Sequence, residues 1–217
     1  MNDEQLQKRI SQTVFDIYPL DRMLPVETVY SIFLKEYAQS DDKSIFFHDR
    51  KFQRLIEGYF ALFLAVSLKD MLGKEHYLMF PGDPSNDVYT FYIQDEDKTK
   101  SVGYRFDIKE FTSFSDSFIS FAEKVIIPKI DIYNIAVGTH RKIEGKDLKF
   151  LSNYLKSKSS DAKIWLIGSP IEENNNENIS KVTVINKEGF IYDKVIDLNK
   201  WLNNKPLDIY QNIIRIK

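Results

Sequence analysis

Asp87 and Asp107 each lie in a run of aromatic and β-branched residues, and Lys109 follows the second acid by two positions. An acid–x–Lys tripeptide carries little weight by itself. The chain also holds Asp41-Asp42-Lys43, Glu96-Asp97-Lys98, Glu144-Gly145-Lys146, Asp147-Leu148-Lys149 and Asp161-Ala162-Lys163. Context separates them, because only Asp107-Ile108-Lys109 falls inside a strand pattern. Side chains alternate along a strand, so Val102, Tyr104, Phe106 and Ile108 form one apolar face while Asp107 and Lys109 share the other. A turn centred between Asp97 and Lys98 sets Asp87 almost opposite Ile108, within reach of Asp107. Directly opposed residues stand roughly 5 Å apart. Two carboxylates that close repel each other unless a cation or a proton intervenes. Mg²⁺ is the economical cation, a hard ion that accepts one or two carboxylates and keeps its waters for a substrate. The competing reading is a hydrated sheet face carrying a surface ion pair.

The elements that must position these residues are read from hydrophobic period. Leu6, Ile10, Val14 and Ile17 recur at helical spacing and predict an amphipathic first helix. Pro25 suits the first turn of a second helix, whose Val26, Val29, Ile32 and Phe33 line one face. A polar break at Gln39–Ser44 follows. Lys51–Leu72 is apolar almost all round, as expected of a helix buried between other elements, and Gly73 is a natural stop. The period then shortens. His76–Phe80, Asp87–Ile93 and Val102–Phe111 read as strands separated by turn formers. Phe114, Phe118, Phe121 and Val125 return to helical spacing. Tyr133–His140 and Lys163–Ser169 read as strands around an amphipathic helix carrying Leu148, Leu151 and Leu155. A last hairpin turns at Asn186–Gly189, and a short helix follows near Leu198–Leu202. This order predicts an α/β fold with a mixed sheet. The organisation expected is a helical N-terminal lobe over 1–44, an α/β core over 45–170, and a hairpin–helix extension over 171–217.

Helix, three strands, helix, strand, with an acid opening the second strand and acid–x–Lys closing the third, resembles the PD-(D/E)xK nucleases, the restriction-endonuclease-like superfamily. The likeness covers roughly residues 51–140. It implies a three-layer nuclease core in which Asp87 takes the first acidic position, Asp107 the second and Lys109 the lysine. It implies Mg²⁺, with Mn²⁺ able to substitute, held by Asp87, Asp107 and the Ile108 carbonyl. Many members add a glutamate from the preceding helix, and Glu57 is similar in placement. The plainer role for Glu57 is a carboxylate at the rim of the core, neutralised by Arg54 or a lysine. Asn86 precedes Asp87 where the family has proline, and the second acid is Asp where Glu is commoner. Asp83 is the fallback for the first acid, although an aspartate before proline is usually a turn former. The activity implied is phosphodiester hydrolysis by a restriction or defence-type endonuclease acting on DNA, with RNA as the other polymer open to it. A homodimer stays open. Part of the family has lost catalysis, so the alternative is an inactive nuclease-like fold that binds protein or nucleic acid.

Composition limits the other classes. A formal net charge of −2 excludes a polybasic coat, so any phosphate contact must come from a local patch. No cysteine is present, which removes disulfides, thiolate catalysis and cysteine–zinc sites. His48, His76 and His140 have no ligand spacing, so core or surface roles are expected, and Trp165 reads as core. No phosphate-cradling glycine loop, serine elbow or zinc-protease helix occurs. The apolar stretch Tyr59–Leu68 is half the roughly 20 residues a membrane span needs, and a soluble cytoplasmic protein is expected.

Overall fold

The computed structural model describes residues 12–15, 23–41, 46–47, 49–80, 87–93, 101–112, 117–131, 134–168 and 178–203. Its strands are β1 (Gln12–Phe15), β2 (Tyr77–Met79), β3 (Asp87–Ile93), β4 (Ser101–Phe111), β5 (Asn134–Thr139), β6 (Ile164–Gly168), β7 (Ile179–Asn186) and β8 (Gly189–Asp197). Its helices are α1 (Val26–Gln39), α2 (Gln53–Leu72), α3 (Phe118–Phe121), α4 (Gly145–Ser157) and α5 (Leu198–Asn203). The strands form one mixed sheet in the order β2-β3-β4-β5-β6-β7-β8, with β1 on β4. The expected α/β class with a mixed sheet is the observed one.

Parallel strands buried on both faces need apolar residues at successive positions, and β5 and β6 supply them. Ala136, Trp165 and Ile167 enter a core with α1 and α2. Their neighbours Ile135, Val137, Ile164 and Leu166 enter a second core with α3 and α4. Helices thus cover both faces. Between α1 and the sheet, α2 is buried from Ile56 to Leu68, which explains its all-round apolar sequence. Gly73 ends it at φ +67°, its N–H donating to the Lys69 carbonyl, a left-handed cap that glycine adopts without strain. Among the described residues no helix is long and apolar enough to cross a membrane.

β4 organises the sheet. One of its edges carries β3 antiparallel, from Ser101↔Ile93 to Asp107↔Asp87. The other edge is shared end to end. Antiparallel β1 takes Ser101–Tyr104, and parallel β5 takes Phe106–Phe111. Arg105 lies at the junction, where its carbonyl accepts a 3.0 Å hydrogen bond from Asn134 Nδ2.

The helix expected over Leu6–Ile17 is corrected here, because Gln12–Phe15 is strand. Thr13, Val14 and Phe15 favour strand, and the upper edge of β4 offers them a hydrogen-bond ladder. Leu6, Ile10 and Ile17 lie outside the described residues, as do His48, Asp83, Phe114 and the turn through Asp97.

Gly138 of β5 packs against α2. A Cβ there would stand 2.5 Å from Phe60 Cδ2 and nearer still to the rest of that ring edge. Gly138→Ala is therefore expected to destabilise by about 1–3 kcal/mol through overpacking, lowering Tm by roughly 2–12 °C. Adding Phe60→Leu should recover part of that loss. A thermal melt of the two variants checks this, and an unchanged Tm for Gly138→Ala would contradict the packing.

Candidate functional site

Alternation along β4 decides which groups can meet. Phe106 and Ile108 enter the core with α2, while Phe111, of the same parity as Asp107 and Lys109, enters the core with α3 and α4. The apolar face read from sequence is confirmed. Register is corrected by one residue: Asp87 lies opposite Asp107, not Ile108. A one-residue slip would exchange the faces of β3. The observed pairing of Val88 with Phe106, both in the α2 core, excludes it.

The face carrying Asp107 is not a hydrated one. Asp107 is only 3% exposed. An ionised carboxylate this buried needs compensating charge and hydrogen bonds. Lys109 Nζ lies 2.5 Å from Oδ1, and Lys129 Nζ lies 2.7 Å from Oδ2. Lys109 comes from the same strand. Lys129 comes from the far end of the α3 segment, where the helix widens to a π-turn over Ala122–Ile126 and tightens to a 3₁₀ turn over Ile127–Lys129. Such π-turns recur at functional sites because they re-aim the residues that follow. Nothing in the spacing of the sequence links Lys129 to Asp107.

Beyond the Asp87–Asp107 pair, Ile108–Phe111 of β4 is paired to β5 on one edge, and residues 81–86, which lead into β3, lie outside the described residues. Mg²⁺ takes one or two carboxylates and retains water, and the one acid of this pair whose side chain is described, Asp107, has a lysine on each oxygen. Among the described residues no three histidine, aspartate or glutamate side chains converge as a ready cage.

Glu57 does not join this set. It lies on the α2 side of β4, 2% exposed, with Gln53 Nε2 at 3.2 Å and Arg54 Nη1 at 3.3 Å. Burial pushes its carboxyl above the ordinary range, Arg54 and Gln53 oppose that rise, and the negative charge of Glu110 adds to it. Glu110 has the parity opposite to Asp107. Its Oε2 lies 3.1 Å from His140 Nε2, and the His140 ring packs 5.9 Å from Phe47 and 5.6 Å from Phe60. His140 is therefore a buried partner of Glu110 and not part of a solvated loop. Trp165 is core, edge-on to Phe106 at 5.0 Å.

Nothing among protein-family models, curated proteins or solved structures matches this chain.

His76 is as buried as the core aromatics at 2% exposure, and neither ring nitrogen has a hydrogen-bond partner among the described residues. Its ring packs against Tyr92 and Tyr104. Burial holds its pKa down to about 4, from an ordinary 6.5. The unfolded chain therefore takes up the proton first as the pH falls. Stability is full above pH 6.5 and declines toward pH 4. That one group accounts for a loss on the order of 3 kcal/mol. Denaturant unfolding at pH 7 and pH 4 should show this extra loss in the wild type relative to His76→Phe. Parallel pH curves for the two proteins would contradict it.

Proposed function

We propose that this protein is a Mg²⁺-dependent nuclease of restriction-endonuclease-like fold that hydrolyses phosphodiester bonds, with DNA as its substrate. The observation that carries this reading is the ladder register. Asp87 is directly opposed to Asp107 at the end of β3, with Lys109 two residues further along β4. Acidic residues are rarely placed opposite one another in a sheet unless something positive lies between them, because like charges there are destabilising.

In this reading Asp87, Asp107 and the Ile108 carbonyl hold Mg²⁺. When bound, the ion supplies charge neutralisation at the phosphate and a water of lowered pKa. Ile108, 3% exposed in the α2 core, anchors the strand so that Asp107 and Lys109 keep their spacing. Lys109, fixed beside Asp107, orients the attacking water and stabilises the charge that grows on the phosphoryl oxygens. Preorganised charge of this kind acts most strongly in a partly dehydrated site. The Lys109 side chain is 18% exposed.

A second reading is favoured by one observation. Both oxygens of Asp107 already have lysine partners, as in a purely structural ion network. An inactive nuclease-like fold that binds protein or nucleic acid would look the same at this point.

The two readings separate in an assay with supercoiled plasmid and single-stranded RNA, each with Mg²⁺, Mn²⁺ or chelator. Wild type is expected to cut the plasmid only with metal. Lys109→Ala should still bind Mn²⁺ but cleave about a hundred- to thousandfold more slowly, the usual loss of one charged transition-state stabiliser. Asp107→Asn should lose the metal itself. Equal cleavage by wild type and Lys109→Ala would place the activity elsewhere, and no cleavage with any metal would favour the binding module.

A further inference from the structure

A cavity of about 780 Å³ lies between the C-terminal end of α2, strand β8 and α5. We infer that it binds a free mononucleotide, with the aromatic base against Tyr192 and Trp201 and the phosphate at Lys200. The inference does not rest on the metal-dependent reading. Val66 and Ile196 of the cavity belong to the core with α2, whereas Asp107 shares the face of β4 that meets α3 and α4.

The lining selects the ligand class. Val66 and Ile196 are buried, and half-buried Ile179 adds to the same apolar surface. Such a surface disfavours a ligand that is charged throughout, because its charge would lose water without a partner. Tyr192 from β8 and Trp201 from α5 are half-buried aromatic rings, the side chains on which bases stack whatever their sequence. Each ring has an ammonium over it. Lys69 Nζ stands 5.1 Å from the Trp201 ring centre, and Lys194 Nζ 5.4 Å from that of Tyr192. An ammonium has three donors, so N–H groups remain for the acceptors at the edge of a base. The volume falls within the roughly 300–1,000 Å³ of small-molecule and cofactor sites, and a lone phosphate would leave most of it empty.

The charged groups of the lining select where the phosphate goes. Lys69 Nζ lies 2.5 Å from Glu75 Oε2, and Lys194 Nζ lies 2.6 Å from Asp70 Oδ2. The Tyr192 hydroxyl donates to the same Asp70 oxygen at 3.1 Å, and the Lys194 ammonium, first among these partners, holds that carboxyl below its usual range. Asp197 Oδ1 accepts the backbone N–H of Lys200 at 3.1 Å. The exposed ammonium of Lys200 has no ion-pair partner among the described residues. It is the cation of the cavity that is left to meet an anion.

Calorimetry on the full chain in the presence of chelator tests this, with adenosine monophosphate, adenosine and inorganic phosphate as probes. The monophosphate should bind at least tenfold more tightly than either half. Lys200→Ala should weaken it about tenfold, the order of one hydrogen bond to a charged group, and leave adenosine unchanged. Lys200→Arg keeps the charge and should follow wild type. Fluorescence supplies an independent readout, because Trp201 is one of two tryptophans and the other, Trp165, is 4% exposed in the core. The monophosphate should quench wild-type emission and leave that of Trp201→Phe unchanged. A 5′-phosphorylated trinucleotide should bind more weakly than the monophosphate. Tighter binding of the trinucleotide would assign the cavity to a strand end and overturn the free-nucleotide inference. No binding of the monophosphate overturns it as well, as does binding that Lys200→Ala does not weaken or equal quenching in Trp201→Phe. None of these results bears on cleavage at Asp107 and Lys109.

Discussion

The strict alternation of side chains along β4 is the constraint on which the rest of the structure depends. Even-numbered Phe106 and Ile108 are committed to the core beneath α2, and odd-numbered Phe111 to the core beneath α3 and α4. Asp107 and Lys109 inherit their common face from that commitment. Asp87 inherits its position opposite Asp107 from the pairing of Val88 with Phe106. Any shift in register would remove apolar surface from one core and strand the acids in the other. The acid pair is therefore held in register by the hydrophobic packing around it and needs no attraction of its own.

Burial then governs the electrostatics. A carboxylate this far from water is tolerated only with partners, and truncating one member of such a network is typically costly because the others stay buried and uncompensated. Lys109 and Lys129 meet this requirement from two separate elements, a strand and a 3₁₀ turn. On the opposite side of β4, buried Glu57 with exposed Arg54, and half-buried Glu110 with buried His140, form a second set of polar groups. The sheet between them keeps the two sets apart. One strand thus carries two polar clusters with separate chemistry.

Much of this was legible in the sequence. Asp87–Ile93 and Ser101–Phe111 announce themselves because aromatic and β-branched residues alternate with polar ones between turn formers. Gln53–Leu72 does so by being apolar on all sides. The same property hid the orientation of Glu57, since an all-round apolar helix has no stripe from which to read a face. The strand Gln12–Phe15 was illegible because its partner is Ser101–Tyr104, far along the chain, and its short apolar spacing also fits a helix. Lys129 was invisible for a different reason. Its approach to Asp107 depends on the π-turn before it and the 3₁₀ turn containing it, neither of which leaves a periodic mark. Residues brought together by local helix geometry and long-range packing carry no spacing signal.

The central claim is that Asp87 and Asp107, paired across β3 and β4, form a divalent-metal site. Anomalous diffraction from a crystal of the full chain soaked in Mn²⁺ tests it most directly. The account predicts a single strong peak about 2.0–2.3 Å from carboxylate oxygens of both Asp87 and Asp107, with the remaining positions filled by the Ile108 carbonyl and water. No peak there, with Asp107 still held by both lysines, would contradict it.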